Sequence, residues 1–278
     1  MIELPEAATI ARQLDEVLRG RRVVSGEAGV NPHKWVFYKP SRRVLGQRLP
    51  DKVIGGATAI GRGIHVKLRP KHVLLIDDFG GRVLYHRPEE KLPKKYHLLM
   101  RAEDESALTV AIQGWGFIGV LTERELRDWV KKRGTGAAVS PVGTAFTLGR
   151  FNDLFDHYEA KEKDSVKTFF TNGKSVAGIG NGYLQDILFR AKIDPRRKVS
   201  QIAKKERTAL YRAVRDTIKS AISLHGRECE RDLYGAPGGY MPVMDRHAAG
   251  KPCPECGTAI VKISYLGGSC YLCPACQK

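Results

Sequence analysis

The last 26 residues constrain the fold most. They hold two Cys-x2-Cys pairs, Cys253/Cys256 and Cys273/Cys276, separated by sixteen residues. Each pair wraps two sulfurs around one side of a tetrahedral ion, so the segment between them must fold back as a hairpin. Gly257 and Gly267-Gly268 supply the turns. Five of the six cysteines lie in this stretch. That clustering predicts one structural zinc, because a disulfide scaffold spreads its cysteines and needs an oxidising compartment. Four thiolates fill the coordination shell, so the ion would hold structure and leave no open position. Cys270, between the pairs, is expected to be a packed thiol, and Cys229 has no evident partner.

The remainder of the 278 residues is long enough for two modest domains. Lys and Arg outnumber Asp and Glu by 47 to 30, a formal charge of +17. A surplus of that size points to a polyanion, with nucleic acid first and an acidic membrane surface second. No apolar run in the sequence is long enough to span a bilayer. The opening MIELPEAATIARQLDEVLRG mixes charges into its apolar residues, unlike a signal peptide. A cytoplasmic location is expected, with no membrane partner and a monomeric state.

Residues 5–18 read as a helix, with Pro5 in the first turn and Ile10, Leu14, Val17 and Leu18 on one face. From residue 21 to 120 the segments RRVVSGEA, VFYKP, IHVKL, HVLLIDDF, RVLYH and LTVAI are rich in β-branched and aromatic residues. Gly, Pro and charged turns divide them. This predicts mainly antiparallel strands in a sandwich or flattened barrel. LTERELRDWVKK (121–132) reads as a short helix, and the Gly-rich stretch that follows as a linker, residues 133–147. From 148 the chain turns helical, and Leu210, Val214, Ile218 and Ile222 mark a buried stripe. Residues 226–252 show no periodicity and are expected to form a flexible loop. The fold class is therefore α+β in two domains. Residues 1–132 form a β-sandwich with an N-terminal helix; residues 148–252 form a helical domain; the cysteine hairpin spans 253–278.

Between two of the helices, Gly178, Gly180 and Gly182 surround Asn181. Glycines there permit a tight turn and let backbone N–H groups approach a phosphate, with the Asn181 amide as a further donor. The same residues also suit an ordinary helix junction with Asn181 as N-cap.

Three regions together resemble the formamidopyrimidine-DNA glycosylase and endonuclease VIII family. Glu3-Leu4-Pro5-Glu6 resembles its N-terminal motif. Lys167 through Pro195, centred on Gly178-Ile179-Gly180-Asn181 and Tyr183, resembles its helix–two-turn–helix element. Pro252 through Lys278 resembles its zinc hairpin. Arg231-Asp232-Leu233 and Pro237-Gly238-Gly239-Tyr240 are similar to its lesion-proximal loop. The resemblance implies a two-domain clamp on damaged double-stranded DNA that flips a base out of the stack. It implies a catalytic role for Glu3 in handling protons, and an N-terminal amine, here that of Ile2, as the imine-forming nucleophile. It implies nucleic-acid contacts from Asn181, Lys167 and Lys67, and from Phe79 and Trp115 as wedges.

Several positions depart from the family pattern. Ile2 stands where a proline is expected, Ile64 where a lysine is expected, Gly114 and Gly268 where arginines are expected. A primary amine on Ile2 requires removal of Met1. Glu3 also suits simple charge complementation of a helix N-terminus. Two functions therefore compete. One is a DNA glycosylase, with lyase activity at abasic sites through the amine or with Glu3 activating water. The other is a non-catalytic homologue that clamps damaged or bent duplex, or structured RNA.

Overall fold

The first helix, α1 (Leu4–Leu18), begins at a capping box: Glu3 accepts from the Glu6 backbone, and the Glu6 carboxylate accepts from the Glu3 N–H at 3.0 Å. Its apolar face, including Ile10, Leu14 and Leu18, is buried. The structure is a computed structural model that describes residues 1–29, 33–159, 161 and 164–278. It divides into two units, Met1–Arg133 with Leu224–Gly239, and Gly134–Ser223 with Tyr240–Lys278.

In the first unit, α1 is followed by β1 (Val23–Ala28), β2 (Val36–Lys39), α2 (Arg42–Arg48), β3 (Val53–Ile60), β4 (Gly63–Arg69), β5 (His72–Asp77) and β6 (Gly81–His86). Then come β7 (Leu98–Ala102), β8 (Ala107–Ile112), β9 (Gly116–Thr122) and α3 (Glu123–Arg133). The strands form a four-stranded sheet, β1-β7-β8-β6, and a five-stranded sheet, β2-β9-β5-β4-β3. One core joins them: Ile64, Val66 and Leu68 of β4 and Ile118 and Val120 of β9 pack with Val83, Leu98, Met100, Leu108 and Val110 of the other sheet and with α1. The pairing is antiparallel except for β2 and β9, which run parallel in register Val36↔Gly116. Alternation on β4 is clean, as period-two geometry requires. β9 lacks alternation because Phe117 and Leu121 pack under Leu126 and Trp129 of α3, so both faces are covered. That covering explains why β9 reads as an unpatterned apolar run. β3 is hidden in the sequence for another reason: its VIGGATAI carries two glycines and a register shift between Ile54 and Gly56.

The second unit is helical: α4 (Leu148–Asp156), α5 (Val166–Thr171), α6 (Asn181–Arg190) and α7 (Lys204–Ser223), then the hairpin β10 (Val261–Tyr265) and β11 (Gly268–Leu272). Its core includes Phe151, Phe155, Phe169 and Phe170 beneath Leu210, Val214 and Ile218 of α7. The stretch expected to be a linker packs into this unit. Val139 pairs with Val176, and the Phe146 ring stacks on Tyr211 at 5.1 Å.

The segment 226–252, expected to be one flexible loop of the helical domain, is divided and fastened at both ends. In the first unit, Gln13 of α1 donates to Asp232 at 2.8 Å and accepts from the Leu233 N–H at 3.0 Å. In the second, Asp186 of α6 accepts from the Tyr240 hydroxyl at 2.7 Å and from the Val243 and Met244 N–H groups. Burial raises the pKa of both the Asp186 carboxyl and the Tyr240 phenol. A carboxylate fastens each end, and neither the lack of periodicity nor the glycine content signalled this.

Candidate nucleic-acid interface and N-terminal site

The capping box of α1 carries more than a helix start. Arg227, which follows Gly226 in the segment after α7, donates through Nε to Glu6 Oε1 at 3.0 Å and through Nη2 to the Met1 carbonyl at 2.7 Å. Its Nη1 lies 3.8 Å from Glu3 Oε1 and its Nη2 lies 3.6 Å from Glu230 Oε1. The Met1 ammonium pairs with Glu230 at 2.6 Å. Glu3, Glu6 and Arg227 are all buried. Three carboxylates therefore surround one guanidinium and one ammonium. Gly226 makes the approach possible: it has φ +90°, and a Cβ there would lie 2.7 Å from Glu6 Cγ.

Glu3 thus sits as the N-cap within an ionic cluster. Ile2 does not present an amine in the chain that begins at Met1. Its nitrogen is a peptide N–H donating to the Phe79 carbonyl at 2.9 Å, and its side chain is buried in the sandwich core. The amide lone pair is delocalised, so the expected imine chemistry needs a different N-terminus.

In the second unit, Asn181 is the first residue of α6 and Gly180 is the N-cap, so the alternative of Asn181 as N-cap does not hold. Asn181 Nδ2 donates to the Ser269 carbonyl of β11 at 2.9 Å. Lys167 is buried, not solvated. Its Nζ donates to the Tyr265 carbonyl at 2.9 Å and contacts Cys270 Sγ at 3.1 Å. Gln185 of α6 accepts from the Tyr271 N–H. The hairpin is therefore docked on α5 and α6 through polar side chains, with Gly268 beside both Lys167 and Asn181.

At the far side of the hairpin, the sulfurs of Cys253, Cys256, Cys273 and Cys276 lie within 4.8 Å of one another. Cys253 and Cys276 are 3.9 Å apart and Cys256 and Cys273 are 3.4 Å apart. Those separations are far too long for disulfides. They fit the ~3.8 Å sulfur–sulfur spacing that Zn–S bonds of about 2.3 Å impose on a tetrahedron. The four thiols form a site able to hold a metal ion.

The other candidates separate by exposure. Phe79 is buried in the sandwich core, so it packs where a wedge was expected. Ile64 is buried in the same core. Lys67 is exposed on β4 and Trp115 is exposed between β8 and β9. Backbone hydrogen bonds link this turn to Gly80, which follows the Phe79 whose carbonyl accepts from Ile2: Gly80 N–H to Trp115 O at 3.2 Å and Gln113 N–H to Gly80 O at 2.8 Å.

Residues 1–112 match the model of the formamidopyrimidine-DNA glycosylase N-terminal domain, and residues 140–231 match that of the formamidopyrimidine-DNA glycosylase H2TH domain. The chain belongs to the formamidopyrimidine-DNA glycosylase family. A formamidopyrimidine-DNA glycosylase of Pelotomaculum thermopropionicum is 27% identical over 283 residues, covering 100% of this chain and 99% of the relative. One of Listeria innocua is 28% identical over 295 residues, covering 100% of both. Among solved structures, Lactococcus lactis Fpg in complex with abasic-site DNA superposes with a TM-score of 0.83 at 22% identity, covering 99% of each chain. The same enzyme with an N7-benzyl-Fapy-dG DNA gives 0.84 at 23%. At those identities the superpositions speak for the fold.

Within this family fold, the sequence motifs name Glu3 and Asn181 as candidates and lead directly to the clustered four cysteines. They did not lead to Glu6, Arg227 and Glu230. Arg227 meets Glu6 across 221 residues of chain, and no local pattern encodes that distance. The spacing of Glu3 and Glu6 offered one usable signal, a capping box that places Glu6 at the start of α1.

Proposed function

We propose that this chain is a DNA glycosylase of base-excision repair, acting on damaged double-stranded DNA from which it removes a flipped base. The observation that carries this reading is the family match through both domains, in order, together with the retained Glu3 at the N-terminal site. The relatives, formamidopyrimidine-DNA glycosylases along their whole length, favour it over a non-catalytic clamp. Extrusion of the base exposes its glycosidic bond, and unstacking costs least at a damaged position. Glu3 would handle the proton, with Arg227 and the capping N–H of Glu6 fixing its carboxylate. Ile2 would serve as nucleophile only once Met1 is removed; otherwise Glu3 would activate water.

On the same reading, Cys253, Cys256, Cys273 and Cys276 would hold one structural zinc, whose chemistry is to close the hairpin and not to bind substrate. Asn181 would contact duplex phosphate from the hairpin side, Lys67 would add a cation, Trp115 would wedge, and the protein would work in the cytoplasm. Lys167 would support the site by holding the hairpin.

The test uses duplexes carrying oxidised, ring-opened, alkylated or abasic positions. Release of a base by the wild-type chain and its loss in Glu3→Gln is the expected result. Borohydride trapping, paired with intact-mass measurement of Met1, reports whether an imine forms. No base release and no trapped adduct across the panel overturns the enzymatic reading.

A further inference from the structure

Three large rings lie together on the surface of the sandwich unit. Trp35, Phe37 and Trp115 are 46%, 43% and 48% exposed. The Trp35 and Trp115 centroids are 5.8 Å apart, and those of Phe37 and Trp115 are 4.6 Å apart. Two strands fix this grouping. The parallel register Val36↔Gly116 sets residues 35 and 115 side by side, and the Gly116 N–H donates to the Trp35 carbonyl at 3.1 Å. Gly114, at φ +78°, makes the turn that presents Trp115.

A contiguous exposed aromatic patch marks a binding surface. The surrounding charge selects the occupant. Lys34 Nζ lies 5.1 Å from the Trp35 ring centroid, and the chain carries +17 overall. A second copy is equally cationic and is repelled, whereas a nucleotide offers a flat base for the rings and a phosphate for the ammonium.

We propose that Trp35, Phe37 and Trp115 form a stacking platform for the unpaired bases of a single DNA strand. The inference rests on the DNA reading above and extends it to strand state. Every base has a π-face, so the platform is tolerant of sequence. It engages bases left unpaired in a gapped strand, apart from the wedge role of Trp115 at the flipped position.

The full-length Trp129→Phe protein retains Trp35 and Trp115 as its only tryptophans. It is titrated with an oligothymidylate of about 12 nucleotides while tryptophan fluorescence is followed. Saturable quenching is expected. Trp35→Leu and Trp115→Leu, each made singly, should weaken single-strand binding by about 5- to 150-fold, the range for losing a base–ring stack. The corresponding Phe variants keep a π-face and should retain most affinity; they also carry the test if the Leu variants misfold. Absence of quenching with salt-sensitive duplex binding intact overturns the platform and leaves the glycosylase reading standing. Absence of both overturns the two together. Equal losses in the Leu and Phe variants, or self-association that depends on Trp115 in sedimentation, also overturn the platform.

Discussion

Asn181 Nδ2 donates to the Ser269 carbonyl at 2.9 Å, so the residue that heads α6 is bonded to the return strand of the cysteine hairpin. With Lys167 and Gln185, this amide ties the helix–two-turn–helix element to the hairpin that carries the thiols. Asn181→Ala is expected to weaken duplex affinity by about 1–3 kcal/mol, the scale of a lost hydrogen bond to a charged group. Anisotropy titration checks this, and unchanged affinity removes Asn181 from the interface.

Gly268 lies next to this contact and stands where the family resemblance places an arginine. A Cβ at Gly268 would be 3.8 Å from Lys167 Nζ and 3.9 Å from Asn181 Nδ2, ordinary contact distances. Gly268→Arg should therefore fold and add a phosphate contact. Duplex binding is expected to tighten, with the salt slope steepening by about 1. A slope identical to wild type contradicts the placement of phosphate beside Gly268.

Arg227 compensates Glu6 inside the sandwich unit, with the Arg227 Nε to Glu6 Oε1 distance at 3.0 Å. Arg227→Ala leaves a buried carboxylate without its main cation and should cost about 3–5 kcal/mol of stability. Adding Glu6→Gln removes the stranded charge while a glutamine can still complete the capping box. Urea denaturation should show the double variant more stable than Arg227→Ala. If it is less stable, the charge argument is wrong.

Metal removal should act locally at first. Four thiolates closing one hairpin make ion binding and hairpin folding the same event. Chelation is expected to abolish hydrogen-exchange protection across β10 and β11 and to lower duplex affinity, while β4 and β5 keep their protection. Protection of the hairpin after verified metal loss would mean that Lys167, Asn181 and Gln185 hold it unaided.

His65 on β4 sets a pH dependence. Burial lowers its pKa from 6.5 to about 4. Between those values the unfolded chain binds a proton that the folded chain does not. Stability is therefore full above pH 6.5 and falls as pH drops toward 4, by about 3 kcal/mol in total. His65→Leu should flatten that part of the stability curve. An unchanged slope between pH 7 and 4.5 in the variant denies His65 this role.

The sequence determined what is encoded locally. Pro5 and the apolar face of Ile10, Leu14 and Leu18 mark α1, the cysteine spacing demands a hairpin, and the four-residue repeat of Leu210 to Ile222 marks the buried stripe of α7. β-Branched residues between turn signals likewise marked β4. Tertiary structure alone decided the rest. Lys167 and Phe79 resemble contact residues in the sequence, yet packing buries both; Phe37 read only as part of a strand and Trp35 gave no signal until β2 paired with β9. Arg227 finds Glu6, Asp232 finds Gln13 and Tyr240 finds Asp186 only after the sheets and helices have closed. The physical reason is range: helix caps, turns and metal-ligand spacing act over a few residues, whereas burial and ion pairing depend on which distant surfaces meet.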